Sequence, residues 1–409
     1  MIYSDVQRLT EIYGDAFYVY DESRFIDNYN SLKSAFVRNY ANTRIAYSYK
    51  TNYTPVICQR LNALGGYAEV VSAMEYALAR RIGVSPERIV YNGPWKSEQS
   101  LREAFAVGSL VNLDSQRDLS LLFEIASEMP TADIRVGIRC NLDLESYESS
   151  RFGFDVATPL FQQALDSIRA QRNVRLTGLH CHLPHRERRS FIERTRRLIE
   201  VARRAFDDAP EFLSIGGGFF GHMPDSLRKG YIGEVPTFDD YAGAVGSLLA
   251  GAYGNTAESP TLFIEPGTAL VADTFKFVTR VVDIKHVRGE CIACVSGSLF
   301  NISPYSRSQN LPVAVLNKNG GGASGERSLV DKVVGYTCIE GDVLSRAVPG
   351  PLEVGDFLVF ENVGSYSIVM KPPFILPSVP ILRYERSSDK YILVKRAESF
   401  DYIFENFVF

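Results

Sequence analysis

The stretch that decides the fold is Thr43-Arg-Ile-Ala-Tyr-Ser-Tyr-Lys50, a run of β-branched, aromatic and small residues that ends in a lysine. Such a composition is typical of a β-strand. Seven similar runs follow it along the chain at the spacing of βα units. The pattern therefore predicts a repeating β/α structure in which Lys50 lies at the downstream end of the first strand.

Turn residues bound each of these runs, and helical stretches separate them. We predict strands at 43–49, 67–71, 88–92, 109–113, 134–140, 175–181, 211–215 and 261–265. The intervening helices are predicted at 74–82, 101–105, 115–128, 160–172, 191–206 and 238–252. Eight strands alternating with helices over about 220 residues match an α/β fold of the (β/α)8 TIM-like barrel type.

The pattern changes after Pro266, where long helical stretches stop. Extended runs at 275–284, 291–295, 313–315, 357–360 and 391–395 predict a mainly antiparallel β-domain. Residues 16–20 predict a lone strand before the barrel that returns to pair with this domain. We therefore predict a barrel over 22–266 and a β-domain made of 1–21 and 267–409. By its composition, the glycine-rich segment 317–325 is predicted to be a mobile surface loop.

Bulk composition excludes several classes of function. Hydrophobic residues make up 45% of the 409 residues and charged residues 22%, which is ordinary for a globular protein. A net charge of −4 gives no electrostatic reason to expect a nucleic-acid or anionic membrane partner. No secretory signal or membrane-length apolar run is visible, and the six cysteines are sparse. We expect a cytoplasmic protein that binds neither nucleic acid nor membrane.

Polar side chains cluster at the predicted strand ends, where barrel enzymes carry their chemistry. Lys50 follows the first strand and Glu69 lies in the second. His180 and His182 fall at the end of the sixth strand, and Glu265 ends the eighth. Because parallel strands of a barrel end on the same rim, we expect these side chains to converge there.

A glycine triplet, Gly216-Gly217-Gly218, follows the seventh strand, and Gly267 follows the eighth. Glycines let backbone N–H groups approach an anion closely, and barrels frequently bind phosphate with these two loops. A second triplet at 320–322 lies in the predicted surface loop, so position rather than composition distinguishes the first. The triplet after the seventh strand therefore predicts a phosphate site.

A lysine amine, a phosphate cradle and a carboxylate together suit pyridoxal 5'-phosphate, which forms a Schiff base with lysine. A carboxylate such as Glu265 beside the pyridine nitrogen keeps that nitrogen protonated and makes the ring an electron sink. His180, His182 and His185 also raise the alternative of a metal. No carboxylate or cysteine pattern completes such a site, so we predict no metal and assign one imidazole to packing on the cofactor.

Seven motifs in order resemble those of the fold-type III pyridoxal-phosphate decarboxylases, the group of diaminopimelate and ornithine/arginine decarboxylases. They are Tyr-Ser-Tyr-Lys50-Thr-Asn, Glu69-Val-Val-Ser72-Ala-Met-Glu75, Gly178-Leu-His-Cys-His182, Ile215-Gly-Gly-Gly-Phe219, Glu265-Pro-Gly267, Cys338-Ile-Glu-Gly-Asp342 and Gly364-Ser-Tyr366. The resemblance runs from about residue 15 to 380 and implies an alanine-racemase-like barrel with a C-terminal β-domain, in agreement with the strand pattern.

The resemblance implies a role for each matching residue. Lys50 would be the Schiff-base lysine with Glu69 nearby, His182 would stack on the ring, and Glu265 would pair with the ring nitrogen. Gly216, Gly217, Gly218, Gly267 and Tyr366 would hold the phosphate. It also implies a head-to-tail homodimer with shared active sites, in which Cys338 reaches the other subunit as the acid that reprotonates Cα. Asp342 would support that interface.

The chain departs from the family pattern at positions that touch phosphate and substrate. His185 replaces the usual serine after the paired histidines, and Thr268 replaces an arginine after Glu-Pro-Gly. We expect His185, Arg186 or Thr268 to compensate for the lost phosphate contacts. Ile339 stands where a residue that reads the distal amine is commonly acidic, with Glu340 one place later and on the opposite face of an extended segment.

These departures lead to a hypothesis about the substrate. We predict a PLP-dependent α-decarboxylase for an amino acid or amino-acid conjugate without the usual distal ammonium, in siderophore, antibiotic or peptide-modification biosynthesis. The alternatives are a diaminopimelate- or ornithine-type decarboxylase of primary metabolism, an amino-acid racemase of the same fold, and a non-catalytic PLP-binding regulator. Glu265 argues against a racemase, because racemases of this fold place arginine at the ring nitrogen.

Overall fold

A computed structural model describes residues 1–144, 147–303, 310–318 and 328–409. Most of the loop predicted at 317–325 lies outside these ranges. The chain divides into two compact units, which we call the barrel unit and the β-unit. The barrel unit consists of Asn28–Gly221 and Glu234–Ala269, and the β-unit of Met1–Asp27, His222–Gly233 and Leu270–Phe409. The predicted boundaries at residues 21 and 266 stay predictions.

Eight strands of the described residues form a closed parallel barrel, as the sequence predicts. They are Thr43–Ser48, Tyr67–Val70, Ile89–Tyr91, Leu110–Leu113, Ile134–Asn141, Val174–His180, Phe212–Ser214 and Thr261–Ile264. Neighbours in this order pair in parallel, and the last strand pairs with the first to close the ring. Every strand lies within one residue of its predicted bounds. A two-residue strand, Phe154–Asp155, adds to the end of the fifth.

Helices follow the barrel strands, and four of the seven begin at a side chain that caps the first turn. They are Pro55–Ala63, Ala73–Arg81, Glu98–Ala106, Gln116–Glu128, Pro159–Arg169, Arg188–Ala205 and Phe238–Tyr253. The side chains of Ser72, Ser97, Ser115 and Thr237 each accept a hydrogen bond from a backbone N–H of the first turn. Two helices, Glu22–Asn39 and Pro55–Ala63, were not predicted, although Phe25, Leu32 and Phe36 form a buried apolar face on the first.

Large side chains fill the barrel interior. Phe212 and Phe263 are buried together with Ala46 and Val90, and they pack as one cluster. At Gly178 a Cβ atom would collide with the ring of Phe212, so the neighbouring strand carries glycine where the ring needs space. The barrel is therefore a packed core rather than a pore, which leaves its rim as the place for chemistry.

The β-unit is a mostly antiparallel sheet with an N-terminal strand in its middle. Its strands are Ala16–Asp21, Phe275–Val287, Glu290–Val295, Val313–Leu316, Lys332–Val334, Val343–Ser345, Phe357–Glu361, Ile381–Glu385 and Lys390–Lys395. Ala16–Asp21 pairs antiparallel with Phe275–Val287 and parallel with Ile381–Glu385, which confirms the predicted return of this strand.

The sequence prediction lacks one helix of the β-unit, Tyr3–Tyr13, and three of its strands, Lys332–Val334, Val343–Ser345 and Ile381–Glu385. The helix packs Val6 and Leu9 on the sheet, against Phe17 and neighbouring apolar residues. Short helices Leu299–Ile302, Ser367–Met370 and Phe400–Phe404 complete the described part of this unit together with Asp225–Arg228. No helix in the described residues combines the length and the apolar character needed to cross a membrane.

Candidate active site

A continuous hydrogen-bonded network of polar side chains lies at the C-terminal rim of the barrel. Lys50, in the short turn Tyr49–Thr51 that ends the first strand, donates from Nζ to Glu69 Oε2 at 2.7 Å. Asn92 Nδ2 donates to Glu69 Oε1 at 3.0 Å and to Glu265 Oε1 at 3.1 Å. The structure thus brings together the lysine and the two carboxylates that the sequence placed on this rim.

Glu265 is a buried carboxylate that stays ionised because of its partners. Ser214 Oγ donates to Oε1 at 2.7 Å, and His180 Nε2 lies 3.2 Å from Oε2. Burial by itself raises the pKa of Glu265, but His180, Lys50 and the Ser214 hydroxyl together hold it well below its ordinary value. An ionised carboxylate of this kind suits pairing with a protonated pyridine nitrogen.

His182 presents a neutral ring at the same rim. The N–H of Gly217 donates to His182 Nδ1 at 3.0 Å, so any proton on the neutral ring belongs on Nε2. Desolvation lowers the pKa of His182 well below its ordinary value, and the positive charges of Lys50 and Arg194 lower it further. A neutral, fixed imidazole can pack on a planar cofactor without adding a charge.

The glycine loop after the seventh strand approaches its neighbours more closely than side chains would allow. Gly216 has a φ of +69°, and a Cβ atom there would lie 2.6 Å from the carbonyl oxygen of Cys181. A Cβ at Gly217 would collide with the carbonyl oxygen of Glu265, and one at Gly267 with Oγ1 of Thr51. Only glycine fits at these positions, and we call this close-packed backbone at 216–218 and 267 the glycine cradle.

The substituted positions beside this loop have neighbours of their own. The ring of His185 lies 4.1 Å from the ring of Tyr147, and the Arg186 guanidinium lies 5.3 Å from the ring of Phe220. Thr268 begins the short helix Thr268–Val271. The predicted compensation by one of these three side chains stays a prediction.

Sequence reasoning missed the side chains that organise the rim, above all Asn92 and Ser214. Asn92 directly follows the third strand, and Ser214 ends the seventh, so their positions alone were an available signal. The loop after Asn92 is fixed by Lys96, which is buried and donates to Asp118 Oδ2 at 2.7 Å and to the Gly93 carbonyl at 2.8 Å. Burial lowers the pKa of Lys96 and the Asp118 charge opposes that shift.

The residues of the predicted C-terminal motif, 338–342, lie in a turn of the β-unit that we call the Cys338 tip. Cys338, Ile339 and Glu340 are exposed. Asp342 is buried, and its carboxylate accepts hydrogen bonds from the N–H groups of Leu299 and Thr337 at 2.6 and 3.2 Å. The Thr337 hydroxyl donates to the same carboxylate at 2.7 Å. Asp342 therefore fixes the base of the tip that carries Cys338.

Tyr366 adopts a left-handed backbone with a φ of +63°, immediately before the helix Ser367–Met370. A non-glycine residue in this region carries strain that the surroundings must stabilise. A Cβ at the preceding Gly364 would collide with the carbonyl oxygen of Val271.

In the described part of the chain, no group of three or more His, Cys, Asp or Glu side chains is arranged to hold a metal ion.

The lysine amine, the ionised carboxylate and the glycine cradle fit pyridoxal 5'-phosphate, and they define a PLP-dependent enzyme built on a TIM-like barrel. The model of the family described as "Pyridoxal-dependent decarboxylase, pyridoxal binding domain" matches residues 25–272. The chain belongs to this family and is a PLP-dependent carboxy-lyase, which confirms the predicted cofactor and class of enzyme.

The similarity to known proteins extends over nearly the whole chain. The chain is 26% identical to the diaminopimelate decarboxylase of Aquifex aeolicus, covering 98% of this chain and 93% of the relative. It is also 26% identical to the L-glutamyl-[BtrI acyl-carrier protein] decarboxylase of Niallia circulans, covering 97% and 95%. The crystal structure of diaminopimelate decarboxylase from M. jannaschii superposes with a TM-score of 0.86 at 25% identity, covering 98% and 94%.

Proposed function

We propose that this carboxy-lyase removes the α-carboxylate of an amino acid with Lys50, Glu69, His182, Glu265 and Cys338 as its working residues. The observation that carries this proposal is the network that joins Lys50 to Glu265 through Glu69 and Asn92. When bound, the cofactor ring withdraws the electron pair that the departing carboxylate leaves on Cα.

Each side chain has a separate task in this proposal. Lys50 presents its amine to the aldehyde carbon of the cofactor, and Glu69, at 2.7 Å, orients that amine. Glu265 holds the proton at the pyridine nitrogen, because a buried carboxylate with a low pKa favours a cation beside it. His182 packs on the ring, and the amide groups of Gly218 and Gly267 bind the phosphate together with Tyr366.

Cys338 is proposed to deliver the proton that replaces CO2 on Cα. It lies on the exposed tip that Asp342 braces, which supports a residue presented to another copy of the chain. We therefore propose a homodimer with shared active sites. A strictly monomeric, fully active protein in sedimentation at assay concentration contradicts this part of the proposal.

Mixing two inactive variants tests shared sites directly. Lys50→Ala and Cys338→Ala homodimers each lack one required group at both sites. A heterodimer of the two has one intact site, so random reassortment restores about a quarter of wild-type activity. The proposal of shared sites is overturned if mixing restores no activity under conditions in which wild-type dimers exchange subunits.

The first substrate to test is meso-diaminopimelate. Several relatives that cover most of this chain carry the name diaminopimelate decarboxylase, in bacteria, archaea and a plant. These relatives support a role in primary metabolism. Diaminopimelate is a free amino acid, so it agrees with the small-molecule substrate that the sequence predicts.

A specific observation favours a second candidate, an amino acid whose distal group is amide- or thioester-linked. Ile339 is 43% exposed on the Cys338 tip, where the family pattern expects an acidic residue that reads a distal amine. An aliphatic side chain cannot pair with an ammonium group. The relative from Niallia circulans is named for a glutamyl group on a carrier protein, which is a substrate of this second type.

Release of CO2 tests both the activity and the substrate. The PLP-loaded protein is assayed with meso-diaminopimelate, ornithine, lysine, and glutamyl conjugates such as a glutamyl pantetheine thioester. We expect turnover of at least one, with Lys50→Ala abolishing both turnover and the visible absorbance of lysine-bound cofactor. Lys33→Ala, on the exposed face of the helix Glu22–Asn39, is the matched control. Retained lysine-type absorbance in Lys50→Ala refutes the lysine assignment.

A further inference from the structure

Arg194 is a fully buried cation beneath the glycine cradle, and the proposed chemistry does not use it. It belongs to the helix Arg188–Ala205 that follows the sixth barrel strand. Its Nη1 donates to the carbonyl oxygens of Gly217 at 3.1 Å and Ile215 at 3.4 Å. Its Nη2 donates to the His185 carbonyl at 2.6 Å and to Ser190 Oγ at 2.8 Å. The Arg194 guanidinium therefore fixes both the glycine loop after the seventh strand and the loop that carries His185.

The orientation of these peptide groups follows from the carbonyls that Arg194 holds. In a trans peptide the C=O and N–H bonds point in opposite directions. The carbonyls of Gly217 and His185 point at Arg194, so the N–H groups of Gly218 and Arg186 point away from it. A cation at the oxygen end of a peptide also polarises its N–H, which then binds an anion more strongly.

Within the described residues Arg194 forms no ion pair, and the Glu187 carboxylate acts on its charge only from beyond ion-pair distance. Among the described residues no carboxylate lies within ion-pair distance of its guanidinium, whose Nε is buried without a hydrogen-bond partner. Burial lowers the pKa of Arg194 to about 10, so the group stays protonated at neutral pH. A buried cation without an anion is costly, which points to a bound anion nearby.

We propose that Arg194 is a positioning residue that supplies the counter-charge for the cofactor phosphate through the peptide groups it holds. This inference rests on the proposed cofactor site. Arg194 replaces the charge that the family pattern expects at position 268, where this chain has threonine. It also orients the backbone at His185, where the pattern expects a serine hydroxyl.

The test compares the affinities of the apoprotein for pyridoxal 5'-phosphate and for pyridoxal, which lacks the phosphate. Binding is followed by visible absorbance and by the fluorescence of Trp95, the sole tryptophan. Arg194→Gln keeps hydrogen-bond donors and helix propensity but removes the charge. Arg197→Gln, on the same helix with a half-exposed side chain, is the matched control.

We expect Arg194→Gln to weaken the binding of pyridoxal 5'-phosphate about 10- to 100-fold, the range of one charge-assisted contact, with pyridoxal affinity nearly unchanged. Arg197→Gln should change neither affinity. An equal loss for both ligands, or no loss for either, overturns the proposal, because a merely structural residue does not distinguish them. A wild-type protein that binds neither ligand refutes the cofactor site itself.

A second variant keeps the proposal testable where Arg194→Gln does not fold by circular dichroism. Arg194→Lys retains the charge but lacks the planar guanidinium fork that donates to both loops. We expect it to weaken pyridoxal 5'-phosphate binding selectively and to weaken the competition by inorganic phosphate to the same degree. An equal loss of affinity for pyridoxal 5'-phosphate and for pyridoxal in Arg194→Lys overturns the proposal.

Discussion

His180 Nε2 lies 3.2 Å from Glu265 Oε2, and both side chains are buried. The histidine ends the sixth barrel strand and the carboxylate follows the eighth, so the closed ring brings them together. The other carboxylate oxygen accepts hydrogen bonds from Ser214 and Asn92. This set of partners keeps a negative charge stable in the interior, where an isolated carboxylate would be protonated.

Replacing the charge of Glu265 should reduce decarboxylation strongly. We expect Glu265→Gln to lower kcat by about 10²- to 10³-fold, the usual cost of losing one preorganised electrostatic group. Binding of the cofactor should be weakened less, because Lys50 and the phosphate cradle remain. Steady-state kinetics of the PLP-loaded enzyme measure this, with the exposed Glu211→Gln as control. Full activity in Glu265→Gln would refute the role of the carboxylate.

Removing His180 should move the acid limb of the pH profile. Because His180 lowers the pKa of Glu265, His180→Gln should raise it. A depressed carboxylate pKa stabilises the fold above the unfolded pKa, and this stability is lost as pH falls through the folded pKa. In His180→Gln both the loss of stability and the loss of kcat/KM should therefore begin at a higher pH. Identical acid limbs in the variant and the wild type would argue against this coupling.

The hydrogen bonds that Asn92 donates to Glu69 and Glu265 should contribute to the rate of decarboxylation. Asn92→Ala removes the donor shared by Glu69 and Glu265, and we expect kcat to fall about 10- to 100-fold. Asn92→Asp should be worse, because a third carboxylate beside two others raises their pKa values. Kinetics of both variants give the comparison. The hypothesis fails if the aspartate variant is the more active one.

Glu75 makes stability depend on pH near neutrality. Burial and the charge of Glu69 raise its pKa to about 7, against the opposing hydrogen bond from the Val71 N–H. A raised carboxylate pKa contributes stability that is present below the unfolded pKa and is lost as pH rises through the folded value. Glu75→Gln should therefore gain stability relative to wild type between about pH 5 and pH 8. Urea unfolding across this range measures the difference, with exposed Glu103→Gln as a control that should show no such trend.

Two glycine substitutions should have opposite effects on stability. A Cβ at Gly217 collides with the Glu265 carbonyl, and we expect Gly217→Ala to cost about 1–3 kcal/mol and to weaken cofactor binding. Gly251 lies in the helix Phe238–Tyr253 with open space around its Cβ position. Gly251→Ala should stabilise the protein by about 0.5–1 kcal/mol. Chemical unfolding compares the two, and equal stability of both variants would contradict the collision.

Local patterns predicted the strands well because each barrel strand is a short apolar run between turn residues. The helix Glu22–Asn39 carries an equally regular pattern in Phe25, Tyr29, Leu32 and Phe36, so the local signal for this helix is present in the sequence. The strand Ile381–Glu385 is different. Its parallel pairing with Ala16–Asp21 joins residues more than 350 positions apart, and no local signal encodes that contact.

Lys50, Glu69, His182, Glu265 and the glycine triplet could be found from the sequence because each directly ends or follows a strand or matches a motif. Asn92 and Ser214 also lie at strand ends, but like Arg194 they belong to none of the motifs, and their roles follow from what they contact. An asparagine after one strand becomes a bridge when two carboxylates from other strands lie within 3.1 Å of it. An arginine in a helix becomes a brace when two distant loops turn their carbonyls toward it.

The order of residues along the chain thus determined the barrel, its rim chemistry and the need for an amine, an acid and an anion site. Periodicity and strand-end position are local properties, and a single chain displays them. Tertiary structure decided which groups share protons and charge, because hydrogen bonds and burial depend on distances between strands far apart in the chain. The ionised state of Glu265 and the buried charge of Arg194 belong to this second category.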